Sequence, residues 1–166
     1  MQEYIAHKNE YTGLLQTVKE HSESTAALCR EYAVPEFKEF MYAIGLFHDI
    51  GKYQASFAKR ILGANIRVEH STCGALAARE QYTVWPMALM MAYCIAGHHS
   101  GIPDGGFPND DQDQLTLHGR MKRTFEDFSA YKRELTIPQL DGPGWLRYLA
   151  GDCNDKMEML IDKFAF

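Results

Sequence analysis

Met87-Ala-Leu-Met-Met-Ala-Tyr-Cys-Ile-Ala96 carries no charged residue and, wound as a helix, is apolar around its whole circumference. A helix of that kind has no face to give to water and must be surrounded by other helices. Its ten residues are about half of the ~20 needed to cross a membrane, which leaves the centre of a protein core as its place. Pro86 fits the first turn, where a backbone N–H is not required. Toward the N-terminus, the preceding segment is crowded with small residues, Cys73, Gly74, Ala75, Ala77 and Ala78, so a helix built of them lets a neighbour come close. Ser71, just before them, suits a helix N-cap.

Further out, Leu14, Val18, Thr25, Leu28 and Tyr32 recur at spacings that fit a helix, and His21 continues the series, so it is expected to face inward. Val34-Pro35 ends that helix, because the residue before proline is biased away from the α region. Phe37, Phe40, Met41, Ile44 and Phe47 form the stripe of a second helix whose end is marked by Gly51, and a third helical stretch from Tyr53 to Leu62 stops at Gly63. Beyond the central stretch come Gly97, His98-His99 and a loop rich in Gly, Ser and Pro that leads to Asp110, Asp111 and Asp113; it reads as flexible or lid-like. Arg120 to Arg133 reads as a mixed-charge helix with Phe125, Phe128 and Tyr131 interleaved. It could offer Arg120, Lys122, Arg123, Lys132 and Arg133 to a nucleic acid strand, but the favoured reading keeps its aromatics in the core and its charges in water. Pro138 to Gly144 is a break, and 145–166 gives one or two short helices. Period-two alternation is nowhere sustained, so the expected fold class is all-α.

A chain of 166 residues is long enough for one globular domain. With 46% hydrophobic and 23% charged residues it has ordinary globular usage, which excludes disordered and fibrous classes. Seventeen basic against twenty-two acidic side chains leave a net charge of -5, so the domain lacks the basic footprint of a protein that grips duplex DNA alone. Any nucleic acid must be held locally. Glu3, His7 and Glu10 stand where a signal peptide would be apolar, and a cytoplasmic protein without membrane contact is expected. Cys29, Cys73, Cys94 and Cys153 are scattered without a C-x-x-C pair and read as reduced, mostly buried thiols.

The chemistry rests on His21, the pair His48-Asp49, His70 and the pair His98-His99, all at helix ends or on inward faces. Adjacent ionisable groups at the end of an apolar helix cost desolvation unless something pairs them. Imidazole and carboxylate together suit Mn, Fe, Co, Ni or Zn, whereas magnesium wants mostly oxygen. Asp49 is the only carboxylate of the set, and its two oxygens can bridge two cations as imidazole cannot. Five histidines and one bridging aspartate make up most of a two-metal centre, in which ions roughly 3.5–4 Å apart activate water against a phosphodiester. Lys52 is either a solvated lysine favoured by the helix dipole or a contact to charge on phosphoryl oxygens. His7 and His118 are read as surface residues outside the set.

The His48-Asp49 pair resembles the signature of the HD superfamily of metal-dependent phosphohydrolases. Longer strings narrow the likeness: Ala6-His7, Glu20-His21, Gly45-Leu-Phe-His48-Asp49-Ile-Gly51-Lys52, Glu69-His70-Ser71 and Ala96-Gly97-His98-His99-Ser-Gly101-Ile-Pro103-Asp104-Gly105-Gly106. Together they resemble the CRISPR-associated HD nuclease domain, over roughly residues 4 to 106. The resemblance implies an HD helical bundle that cleaves single-stranded DNA in type I interference. Its partners would be a superfamily 2 helicase domain, in the same chain or in trans, and through the parent protein the CRISPR surveillance complex. It gives one metal to His21, His48 and Asp49, a second to Asp49, His70, His98 and His99, and the scissile phosphate to Lys52. In that family an aspartate in a later string resembling Ser-x-Leu-x-Asp-Ala-Asp completes the first metal, and no such string is present. Asp152, Asp155 and Asp162 are the late aspartates, none in that context. The expectation is a domain cut short relative to a longer helicase-nuclease, with the second metal position the better filled or both empty; Asp152 as a substitute ligand stays open. So do two other functions, a nucleotide-directed HD phosphohydrolase and a non-catalytic metal-containing docking or sensor module.

Overall fold

Helix α5 (Trp85–Gly97) buries Met87, Met91, Ala92, Ile95 and Ala96 in a computed structural model that describes residues 3–140, but Leu89, Met90 and Tyr93 are only half-buried, so among the described residues it is not surrounded on every side as its sequence leads one to expect. The short helices expected in 145–166, with Cys153, Asp152, Asp155 and Asp162, lie outside the described residues. Helix α4 (Ser71–Gln81) lies against α5, and its small residues permit the contact. A Cβ on Gly74 would run into the carbonyl of Phe47 and the side chain of Ile95, so only glycine lets α4 meet the end of α2 (Lys38–Phe47) and α5 together. Phe47 and Ile95 are fully buried there, each burial worth about 1.5–3 kcal/mol. Cys94 points the other way and is exposed, against the expectation of a buried thiol; Cys73 is buried and Cys29 half-buried.

The chain enters through an antiparallel ribbon that the sequence reading does not contain, β1 (Ile5–Lys8) paired with β2 (Leu15–Thr17). Asn9 shapes its turn, accepting from the backbone N–H of Tyr11 and Thr12 at 2.9 Å each, and Gly13 takes a φ of 72° there. Helix α1 (Val18–Tyr32) therefore starts four residues later than the stripe from Leu14 suggests. Thr17 caps it: its hydroxyl accepts from the Glu20 N–H at 3.1 Å, and the Glu20 carboxylate accepts from the Thr17 N–H at 2.9 Å. The buried face of α1 is Val18, Ser22 and Ala26, whereas Leu14, Leu28 and Tyr32 are exposed. Close approach to α2 explains the phase, because Gly45 sits on the backbone of Ala26 and leaves no room for a large side chain.

A 3-10 turn at Pro35–Phe37 leads into α2, which stops at Phe47, short of Gly51. The chain then tightens into a second 3-10 turn, Ile50–Tyr53. Gly51 is needed there for space: a Cβ would collide with the backbone of His70. Helix α3 (Ala55–Ile61) ends as expected at Gly63, whose φ is 101°.

The loop after α5 is tied along its length rather than loose. Asp110 accepts from the Phe107 N–H at 3.0 Å and the Thr116 hydroxyl at 2.6 Å, and the Leu117 N–H donates to the Asp104 carbonyl at 2.8 Å. The mixed-charge helix over Arg120 to Arg133 does not form. Two single turns, α6 (Leu117–Arg120) and α7 (Tyr131–Glu134), replace it, because its cations have partners elsewhere. Arg120 and Arg123 reach Glu69, Lys122 donates to the Pro108 carbonyl, and Lys132 pairs with Glu80. Tyr131 is buried as the core reading requires, and Phe125 and Phe128 are half-buried. The described residues thus form an all-α bundle with one short ribbon.

Candidate metal centre

Asp49 sits where the chain leaves α2 for the 3-10 turn, and its backbone (φ -116°, ψ 17°) turns the carboxylate inward to 2% exposure. His48 keeps helical geometry at the C-cap of α2, His98 does the same at the C-cap of α5, and His70 is the residue before the first turn of α4. Glu69, not Ser71, caps α4. Its carboxylate accepts from the Thr72 N–H at 3.0 Å, the Ser71 hydroxyl at 3.1 Å and the Thr72 hydroxyl at 2.9 Å. Arg120 donates to Ser71 and Thr72 behind it, so the backbone carrying His70 is clamped.

These elements place the five histidines singled out in the sequence around the carboxylate of Asp49. Asp49 Oδ2 is 2.8 Å from His21 Nε2, 3.1 Å from His48 Nε2 and 2.8 Å from Lys52 Nζ. Oδ1 is 3.2 Å from His70 Nε2 and 3.4 Å from His98 Nε2, yet it makes no well-directed hydrogen bond. His99 Nε2 closes the group at 2.7 Å from His70 Nε2. Asp49, His70, His98 and His99 offer ligand atoms within 4.8 Å of one another, and so do His7, His21 and Asp49.

The far sides of the rings decide what the near sides can do. His48 Nδ1 lies 2.7 Å from the Gly45 carbonyl, His98 Nδ1 2.7 Å from the Ile95 carbonyl, and His70 Nδ1 3.2 Å from the Val68 carbonyl. A carbonyl oxygen only accepts, so each Nδ1 carries the proton, and in the neutral ring Nε2 is left with a bare lone pair. Three lone pairs therefore converge on an anionic carboxylate, one of whose oxygens is buried without a hydrogen bond. Acceptors facing acceptors require a cation between them, and imidazole held by a backbone carbonyl is the usual arrangement of a metal-ligating histidine. The donor set of nitrogen with a single carboxylate fits a divalent transition metal.

Lys52 is not a solvated lysine. Only 5% exposed, it directs its ammonium to Asp49 and to His7 Nε2 at 2.9 Å. An ammonium has three donors, so one remains after these two contacts. His7, read from sequence as a surface residue outside the set, is exposed but stands at the edge of the centre, its ring centroid 4.6 Å from that of His21. Burial and the neighbouring Lys52 charge lower its pKa, which keeps it a neutral acceptor. The strand pairing that carries it there leaves almost no signal in sequence; the Ala6-His7 string is the one available hint. His118 is exposed and takes no part.

The centre opens on two sides, at His7 and at His98-His99, all three exposed. On the second side a cleft of ≈ 990 Å³ begins at His70 and His99 and runs between the segments around Arg67 and Ile102. No helix among the described residues is long and apolar enough to cross a membrane.

The family model described as HD domain matches residues 18–139. That span holds His21, His48, Asp49, Lys52, His70, His98 and His99 and leaves out His7. No curated protein matches the chain.

Proposed function

Because the chain belongs to the HD domain family, a family of metal-dependent phosphohydrolases, we propose that it hydrolyses phosphodiester bonds of single-stranded DNA as the nuclease domain of a CRISPR type I system. The reading is carried by the lone pairs of His48, His70 and His98 converging on Asp49. His21, His48 and Asp49 would hold one divalent ion, and Asp49, His70, His98 and His99 a second. Bound there, the ions lower the pKa of water and neutralise charge that builds on the phosphoryl oxygens. Asp49 would contribute to holding both ions. Lys52 offers its third N–H to a phosphoryl oxygen, and His7 holds the ammonium from behind. Two open sides favour a strand passing across the centre over a mononucleotide enclosed in it.

With a net charge of -5 the domain has little long-range pull on a polyanion, so the strand would be delivered by a superfamily 2 helicase within a CRISPR surveillance complex. The test is hydrolysis of single-stranded oligonucleotides with manganese, cobalt or nickel, in competition with mononucleotides. Cleavage that mononucleotides barely slow supports the nuclease; mononucleotide hydrolysis that oligonucleotides do not inhibit makes the chain a nucleotide phosphohydrolase. Metal binding without either activity leaves a docking or sensor module.

A further inference from the structure

The cleft beside His70 and His99 is larger than a scissile phosphate needs. Its volume of ≈ 990 Å³ is at the upper end of the range of about 300–1,000 Å³ in which proteins hold organic ligands. Its walls are mixed in a particular way. Ile102 and Leu115 line it and are 76% and 78% exposed, so two large apolar side chains of the lining face water. Arg67 also lines it, and its guanidinium has no hydrogen bond or ion pair among the described residues. The other two lining arginines are committed, Arg120 to Ser71 and Thr72 and both Arg120 and Arg123 to Glu69. Neither lining carboxylate, Glu69 nor the exposed Asp104, pairs with Arg67.

One free cation, an apolar pair and direct continuity with the metal-facing histidines describe a receptor for a nucleotide unit. We propose that this cleft is the subsite for the nucleotide next to the scissile bond, with its base against Ile102 and Leu115 and its own phosphate on Arg67. The assignment rests on the nuclease reading, since it takes His70 and His99 as the place where the reacting phosphate lies. It makes Arg67 a binding residue that does not touch the reacting atoms. It also places that nucleotide on the Oδ1 side of Asp49, where the cleft begins.

The test uses the 166-residue chain with manganese and a fluorescein-labelled phosphorothioate dT12, which resists cleavage, followed by anisotropy across a potassium chloride series. Arg67→Ala should weaken binding about tenfold at moderate salt and reduce the slope of log affinity against log salt by about 0.7, the value of one phosphate contact on a single strand. Ile102→Ser and Leu115→Ser should weaken binding severalfold with the slope unchanged, because they remove apolar contact and no charge. Arg133→Ala, an exposed arginine that does not line the cleft, serves as the charge control. Equal effects of Arg67→Ala and Arg133→Ala, an unchanged salt slope, or no binding of dT12 by the parent chain would each overturn the subsite. Hydrolysis of bis(p-nitrophenyl) phosphate, which has no nucleoside, is measured in parallel. Its absence would count against the nuclease reading, whereas the subsite stands or falls on the anisotropy comparison.

Discussion

The Oδ2 and Oδ1 sides of Asp49 are built from different parts of the chain and hold different charges. On the Oδ2 side, α1 and the end of α2 supply His21 and His48, and the protein brings its own cation, Lys52, to 2.8 Å. On the Oδ1 side, α4 and α5 supply His70, His98 and His99, and no ammonium or guanidinium is paired with that oxygen among the described residues. One side can be electrically satisfied by the polypeptide alone, and the other cannot. An incoming metal competes with Lys52 in the first place and relieves an uncompensated buried oxygen in the second. Two ligand sets that look alike in composition should therefore fill unequally.

Removing the shared group gives the largest effect. Asp49→Asn keeps the shape and loses the charge, so metal-dependent cleavage should fall by at least about 10²–10³-fold, the scale of losing one electrostatic group at a reacting centre, while circular dichroism stays unchanged. Activity within tenfold of the parent would show that neither side needs the carboxylate.

The next substitution should separate the two sides. In calorimetry the parent chain is expected to bind manganese in two unequal steps, the tighter on the Oδ1 side. Lys52→Met removes the competing ammonium, so the weaker step should tighten about tenfold or more while turnover drops on the order of 10²-fold with the loss of a phosphate contact. Weaker binding in both steps would mean that Lys52 supports the metal rather than competes with it.

Glu69 sharpens the comparison from the Oδ1 side. Glu69→Gln loosens the clamp on His70 and leaves Arg120 a poorer acceptor, at a cost of about 1–3 kcal/mol in stability by urea denaturation. The tighter metal step should weaken about tenfold, as when a group supporting a ligand is removed, with the other step unmoved. Burial would raise the pKa of Glu69, but its bonds to Thr72 and the charges of Arg120 and Arg123 hold it below the usual value. The unfolded chain then binds this proton at a higher pH than the folded one. The Glu69 contribution is complete above the ordinary glutamate pKa and is lost as pH falls through the lower folded value. Glu69→Gln should flatten that acid limb of the stability curve.

The smallest effect is expected on the outer face of α1. Leu28 is 52% exposed, so Leu28→Gln should change stability by no more than about 0.5 kcal/mol and leave both metal steps alone. A loss of several kcal/mol would restore the stripe that the sequence suggests.

That stripe shows where sequence reading stops. The all-α class follows from the absence of period-two alternation and the buried face of α5 from its apolar run, whereas its other face, with Met90, Tyr93 and Cys94, is not covered among the described residues. The gathering of His21, His48, Asp49, His70, His98 and His99 was legible because each lies at the end of, or within, a strongly patterned helix. His7 was not, since strands of four and three residues are too short to display alternation. The phase of α1 depends on how closely Gly45 lets α2 approach, which is a tertiary fact. Thr17-Val-Lys-Glu20 is a capping signal readable in the sequence, and it outranks the apolar spacing that starts at Leu14. Arg120 and Arg123 read as solvated charges because their partner, Glu69, is distant in sequence.

The Oδ1 set draws its side chains from the end of α2, the start of α4 and the end of α5, so no two neighbouring segments can assemble it. Contacts of long sequence separation repay their loop-closure entropy late in folding. An ion that needs all three elements has little to bind in the unfolded chain or in a half-docked bundle. Interactions absent from the transition state slow unfolding without hastening folding. Metal uptake should thus act as a clock for the last docking step of this bundle, and a chelator should shorten the lifetime of the folded chain while leaving the rate at which it forms unchanged.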